Sequence, residues 1–206
     1  MNYLAHAWLA RHSDAAILGA LLGDFVRGPP PADAWPAEVR AEILLHRHVD
    51  TWTDRHPRIV TLRAGFGPYR RFAGIVLDVY FDHCLARDPA YWQDEPLAAF
   101  CRRVYGVLAT HRAQLPPRLA ALAPRMAAED WLGGYRRRAQ VDAAIIGLAG
   151  RLSRHGERLR ACLPLLRTQQ AMIDRGFDAF FPALCAEVGR VRAGKGSGPH
   201  PHDEEP

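Results

Sequence analysis

Apolar residues recur at helical spacing along almost the whole chain, in segments punctuated by proline and glycine, and no alternating strand pattern interrupts them. A chain so patterned has to bury helix against helix. Tyr3, Leu4, Ala7, Trp8 and Leu9 give a short amphipathic helix. Ser13-Asp14 then offers an N-cap for a second helix, Ala15 to Val26, which Gly28 and Pro29–Pro31 end. Pro36 suits the first turn of a third, expected to run to His56 and stop at Pro57. Further helices are expected over Arg58–Phe66, Arg70–Arg87, Pro96–His111, Pro117–Met126, Glu129–Arg137, Gln140–His155 and Leu165–Val191. With 206 residues, this predicts one all-α domain over 1–192. Residues 193–206 (AGKGSGPHPHDEEP) lack periodicity and are expected to form a disordered tail.

Charge narrows the function classes. The longest stretch without Asp, Glu, Lys or Arg is Met1 to Ala10, ten residues, half of the roughly twenty that a membrane span needs. No basic residue precedes that run and His6 interrupts it, so a signal peptide is not expected. Cys84, Cys101, Cys162 and Cys185 stand singly with no CxxC spacing, which argues against a zinc ribbon or a disulfide framework and for a cytoplasmic protein. Residues 1–100 carry a net charge of −2 and residues 101–192 a net of +9. An acidic half holding most of the histidines suggests a cation site, and the basic half an anionic partner. Nucleic acid is not expected, because the arginines lack interleaved aromatic stacking platforms.

The chemistry-bearing residues sit at one-turn spacing. His46, Asp50 and Asp54 follow at i, i+4, i+8, so the first two can point into one pocket. Asp78 and Asp82 share that relation, with His83 adjacent, and Asp24 ends an apolar run. His6 lies among apolar neighbours, and His48 falls about 200° round the helix from His46. Carboxylates converging inside an apolar bundle repel each other and lose hydration. A divalent cation relieves both costs, and mixed oxygen and imidazole ligation suits Mn, Fe, Zn or Mg. The expected metal ligands are Asp24, His46, Asp50, Asp78 and Asp82.

In these same residues the sequence resembles the acyl carrier protein phosphodiesterases. The matching stretches are NYLAHAWLA near the N-terminus, LLGDFVRG at Leu21–Gly28, HRHVDTWTDRHP at His46–Pro57 and LDVYFDHCLARD at Leu77–Asp88. The resemblance runs from Met1 to about Phe181 and is most specific in the first hundred residues. It implies a metal-dependent enzyme, with Mn or Mg, that releases 4′-phosphopantetheine from holo-acyl carrier protein. It also implies a divergent branch of the HD-type phosphohydrolases, a helical bundle with its metal between helices. The literal His-Asp pair of that superfamily occurs only as His202-Asp203, in the expected tail.

On this reading Asp24, His6 and His83 are the candidate catalytic groups, either imidazole serving as acid to the departing serine oxygen. Arg27 is placed to pair with a phosphate oxygen. Arg102 and Arg136, in the densest basic clusters, are expected to meet the acidic carrier. Two other readings use the same residues: a phosphohydrolase of nucleotides or other small phosphate esters, and a helical module that binds an acidic partner without catalysis.

Overall fold

The computed structural model describes residues 1–194. From residue 195 onward the expected tail, with its His202-Asp203 pair, lies outside the described residues. Within them the chain is all-α, with no strand. Twelve helices follow in order: α1 Tyr3–Leu9, α2 Asp14–Leu22, α3 Ala37–Arg55, α4 Pro57–Ala64, α5 Arg70–Arg87, α6 Leu97–Thr110, α7 Pro117–Ala128, α8 Trp131–Gly134, α9 Arg138–Arg151, α10 Gly156–Arg160, α11 Cys162–Thr168 and α12 Gln170–Arg192. None of the described helices is long and apolar enough to cross a membrane.

The expected starts have their physical basis. The Ser13 hydroxyl accepts the Ala16 amide and caps α2, and Pro57 and Pro117 open α4 and α7, where a missing amide costs nothing. The expected Gln140–His155 helix runs Arg138–Arg151 and is followed by the unexpected short α10, and three further boundaries differ for visible reasons. The second helix stops at Leu22 instead of Val26, because the amides of Phe25 and Val26 both turn back to the Leu22 carbonyl. The expected Glu129–Arg137 helix is the single turn α8, capped by Asp130 in the left-handed region at φ 44°. The expected Leu165–Val191 helix is split at Gln169, whose side-chain amide donates to the Gly65 carbonyl at 2.9 Å.

Helix α5 is the axis of the bundle. It buries Val76, Leu77, Val79, Tyr80, Phe81, Cys84 and Leu85, and packs against α1, α4, α9, α11 and α12. Helices α2 and α3 lie so close that a β-carbon at Gly19 would fall 2.5 Å from the Val39 carbonyl oxygen. Helix α12 closes the opposite side. Its Arg192 grips the buried Glu42 of α3 through two nitrogens at 2.9 and 2.8 Å, and its buried Glu187 meets His48 at 2.6 Å. His48 therefore faces α12, as its angular offset from His46 requires. Asp54 pairs with Arg63 at 3.1 Å. The four cysteines are free thiols.

Candidate metal centre

Helices α1, α2 and α3 bring three of the acidic half's sequence blocks to one point. His46 and Asp50 project from adjacent turns of α3, and the Nε2 of His46 lies 3.2 Å from Asp50 Oδ2. The same Nε2 is 3.3 Å from Asp24 Oδ1, since the early end of α2 frees Asp24 to turn back over α3. From α1, His6 places its Nε2 3.0 Å from Asp50 Oδ1 and stacks on His46, ring centroids 3.7 Å apart. One ligand atom each from His6, His46 and Asp50 lies within 4.8 Å of the others.

Donor and acceptor roles define what this cluster can hold. His46 Nδ1 is 2.7 Å from the Ala20 carbonyl, which only accepts, so Nδ1 carries the proton. Its Nε2 then faces two carboxylates with either a second proton or a lone pair. Neutral imidazole aimed at carboxylates needs a cation between them. A carbonyl-anchored Nδ1–H with a free Nε2 is the usual support of a metal-binding histidine. Two imidazoles and carboxylates also form the donor set that suits a divalent transition ion.

With no cation present, the second proton takes that place. Burial alone would lower the His46 pKa, but hydrogen bonds to Asp24 and Asp50 win and hold it up to about 9. Burial and the neighbouring His46 charge lower His6 to about 4. Asp50 is held well below the carboxylate range: burial opposes this, but His46, His6 and the Met1 ammonium prevail. That ammonium lies 2.9 Å from Asp78 and 3.3 Å from Asp50.

Stability should follow these shifts. The raised His46 pKa contributes stability in full below about 6.5, its unfolded value, and loses it as pH rises through about 9. The lowered His6 pKa works the other way, penalising the fold as pH falls from 6.5 toward 4. Chelator-treated protein should therefore lose about 5 °C of thermal midpoint between pH 6.5 and pH 9. A His46→Gln variant should lose most of the alkaline fall, the Met1 ammonium and Asp82 supplying the remainder, which thermal melts across pH will show.

Around the cluster opens a cavity of about 560 Å³, with Asp24, Asp50, Asp54 and Asp78 on its floor. Of the expected ligands, Asp24 and Asp50 are thus cavity-facing and His46 bridges them. Asp78 is a little further along, tied to Met1. Asp82 is not brought to the cavity. It is fully buried under α1, where its two oxygens accept the amides of Leu4 at 2.9 Å and Ala5 at 3.0 Å. Burial pushes its pKa up to about 7, against those two amides. His83 does not line the cavity either; its Nδ1 is 2.7 Å from the Tyr135 carbonyl, and its ring lies beside Tyr80. Arg27, Arg102 and Arg136 are exposed and outside the cavity wall.

The sequence left three contributors unmarked and pointed to His6 in another role. His6 was expected as an acid, yet its ring lies inside the cluster. Gly23, within LLGDFVRG, sits where a β-carbon would fall 2.2 Å from His46 Cγ. Arg118 and Arg151 line the cavity from α7 and α9. Only Gly23 had a local signal, a glycine one residue before a candidate ligand. Gly23→Ala should displace the His46 ring and cut turnover about 100-fold, at about 1–3 kcal/mol of stability. Kinetics beside a urea titration separates the two effects.

Fold and centre together define an all-helical protein with an internal imidazole–carboxylate site at the base of a cavity, the layout of helical-bundle metal proteins. The chain belongs to the acyl carrier protein phosphodiesterase family, whose model matches residues 1–184. It is 35% identical over 190 residues to the acyl carrier protein phosphodiesterase of Enterobacter sp. (strain 638), covering 91% of this chain and 97% of that protein. The protein of that name from Salmonella agona (strain SL483) is also 35% identical, over 202 residues, covering 92% of this chain and 98% of the relative. No solved structure matches the chain.

Proposed function

We propose that this protein hydrolyses the phosphodiester between 4′-phosphopantetheine and a serine of holo-acyl carrier protein, using a divalent metal, Mn or Mg. His6, His46 and Asp50 would hold the ion, with Asp24 completing the protein ligands and Asp78 within reach through water. The observation that carries this reading is the His46 geometry: Nδ1–H fixed on the Ala20 carbonyl and Nε2 turned onto Asp24 and Asp50. When bound, such an ion neutralises charge on the phosphoryl oxygens and lowers the pKa of water.

The chain's own groups do the positioning. Asp24 is half-exposed on the cavity side, with one oxygen on His46. Its other oxygen is available to orient a water and take its proton as the water oxygen bonds to phosphorus. The phosphorus–oxygen bond to serine then breaks, and the serine oxygen is protonated from solvent. Asp50, fixed by His6, His46 and Met1, keeps the cluster rigid. Arg27, Arg102 and Arg136 stand free at the surface, where they suit encounter with an acidic carrier.

Substrate competition tests the assignment. Purified protein with Mn or Mg is offered holo-carrier and a panel of nucleotides and simple phosphate esters. Release of 4′-phosphopantetheine with the nucleotides untouched supports the carrier assignment. Faster turnover of a nucleotide overturns it.

A further inference from the structure

The cavity lining carries both signs of charge, and its one carboxylate outside the aspartate cluster, Glu129, is paired with Arg125. Besides the aspartates it carries Arg118, in the first turn of α7, and Arg151, the last residue of α9. Most other arginines near the bundle's carboxylates are paired: Arg138 and Arg167 with Asp142, Arg103 with Asp14, Arg87 with Asp174. Among the described residues Arg118 and Arg151 form no ion pair or hydrogen bond; Arg118 only overlies the Phe25 ring at 5.9 Å. Tyr3 lines the same cavity. Its phenol is pushed up to about 12 by burial and by Asp24, while Arg118 and Arg151 pull it down, so both guanidinium groups are within electrostatic reach of the same hydroxyl. Two unpartnered guanidinium groups sharing one cavity with an aspartate cluster able to hold a cation suit a phosphate, whose oxygens can engage both.

We propose that Arg118 and Arg151 are the phosphate-gripping groups of this cavity, binding the phosphoryl oxygens of the pantetheine arm beside the aspartates that line it. This rests on the reading of the cavity as the phosphodiester site. It makes the pair specificity residues for phosphorylated pantetheine, distinct from surface arginines that meet the carrier protein. Guanidinium suits the task because its fork engages two phosphate oxygens at once.

The test uses binding by calorimetry to the full chain in excess chelator, so that no metal contributes. The probes are 4′-phosphopantetheine and pantetheine, which differ by the phosphate alone. Arg118→Gln and Arg151→Gln should each weaken 4′-phosphopantetheine about tenfold and leave pantetheine unchanged. Arg118→Lys should keep part of the affinity. Both positions are exposed, so the variants should fold, as circular dichroism will verify. Unchanged 4′-phosphopantetheine binding overturns the proposal, as does equal weakening of both probes. An effect seen only with intact holo-carrier also overturns it, since it makes the arginines docking groups. If the wild type discriminates the phosphate through this pair yet never turns over holo-carrier, the reaction assignment fails and the anion site stands. If it turns over and the variants bind normally, the pair alone fails.

Discussion

Asp50→Asn should lower holo-carrier turnover by about 1,000-fold or more and abolish retention of added Mn or Mg while leaving the protein folded. The expectation is so large because Asp50 ties both imidazoles of the cluster to the Met1 ammonium. His6 reaches one of its oxygens at 3.0 Å and His46 the other at 3.2 Å, with the Met1 ammonium at 3.3 Å. An amide of the same shape keeps the volume but removes the charge that a cation and two imidazoles require. His46→Ala should match it, because it removes the ligand that joins Asp50 to Asp24. Elemental analysis of the purified variants, alongside turnover and circular dichroism, checks the prediction. Turnover within tenfold of wild type in either variant contradicts it.

The second large effect is on stability. Asp82→Ala should cost about 3 kcal/mol, a fall in thermal midpoint of about 6–12 °C at this chain length. Helix α1 starts without a side-chain cap of its own: Asn2, at the N-cap position, makes no capping hydrogen bond and instead donates to the Tyr135 hydroxyl. Its orphan amides at Leu4 and Ala5 are satisfied from α5, by the two oxygens of Asp82. Truncation leaves two buried donors unpaired. Asp82→Asn, which keeps one acceptor, should lose about half as much. Since α1 carries His6, metal affinity should weaken with stability, whereas Asp50→Asn loses the metal with the fold intact. Urea unfolding with metal titration separates the two variants.

These two aspartates show where the sequence was legible. Asp50 could be read because its partner His46 is one turn away on the same helix, and i, i+4 spacing is a local fact. Asp78 and Asp82 share that spacing, but the drift of about 40° over four residues sends one to the cavity and the other under α1. The partners of Asp82 are 77 and 78 residues distant in sequence, so no periodicity reports them. The same holds for Arg118 and Arg151, which reach the cavity only through the packing of α7 and α9. The helices themselves were well marked by proline and glycine. The exceptions are boundaries decided by tertiary contacts, such as Gln169 anchoring to Gly65 and splitting one expected helix into α11 and α12.

The central claim is that the His6–His46–Asp50 cluster binds a divalent ion and that the loaded protein cleaves the carrier phosphodiester. Mass spectrometry of holo-carrier after incubation with the wild-type protein tests it most directly, with added Mn or Mg in one arm and excess chelator in the other. The account predicts that the carrier loses the mass of its phosphopantetheine arm in the metal arm and keeps it under chelation, with activity restored when metal is returned. An unchanged carrier mass with metal present, or equal conversion in both arms, would contradict it.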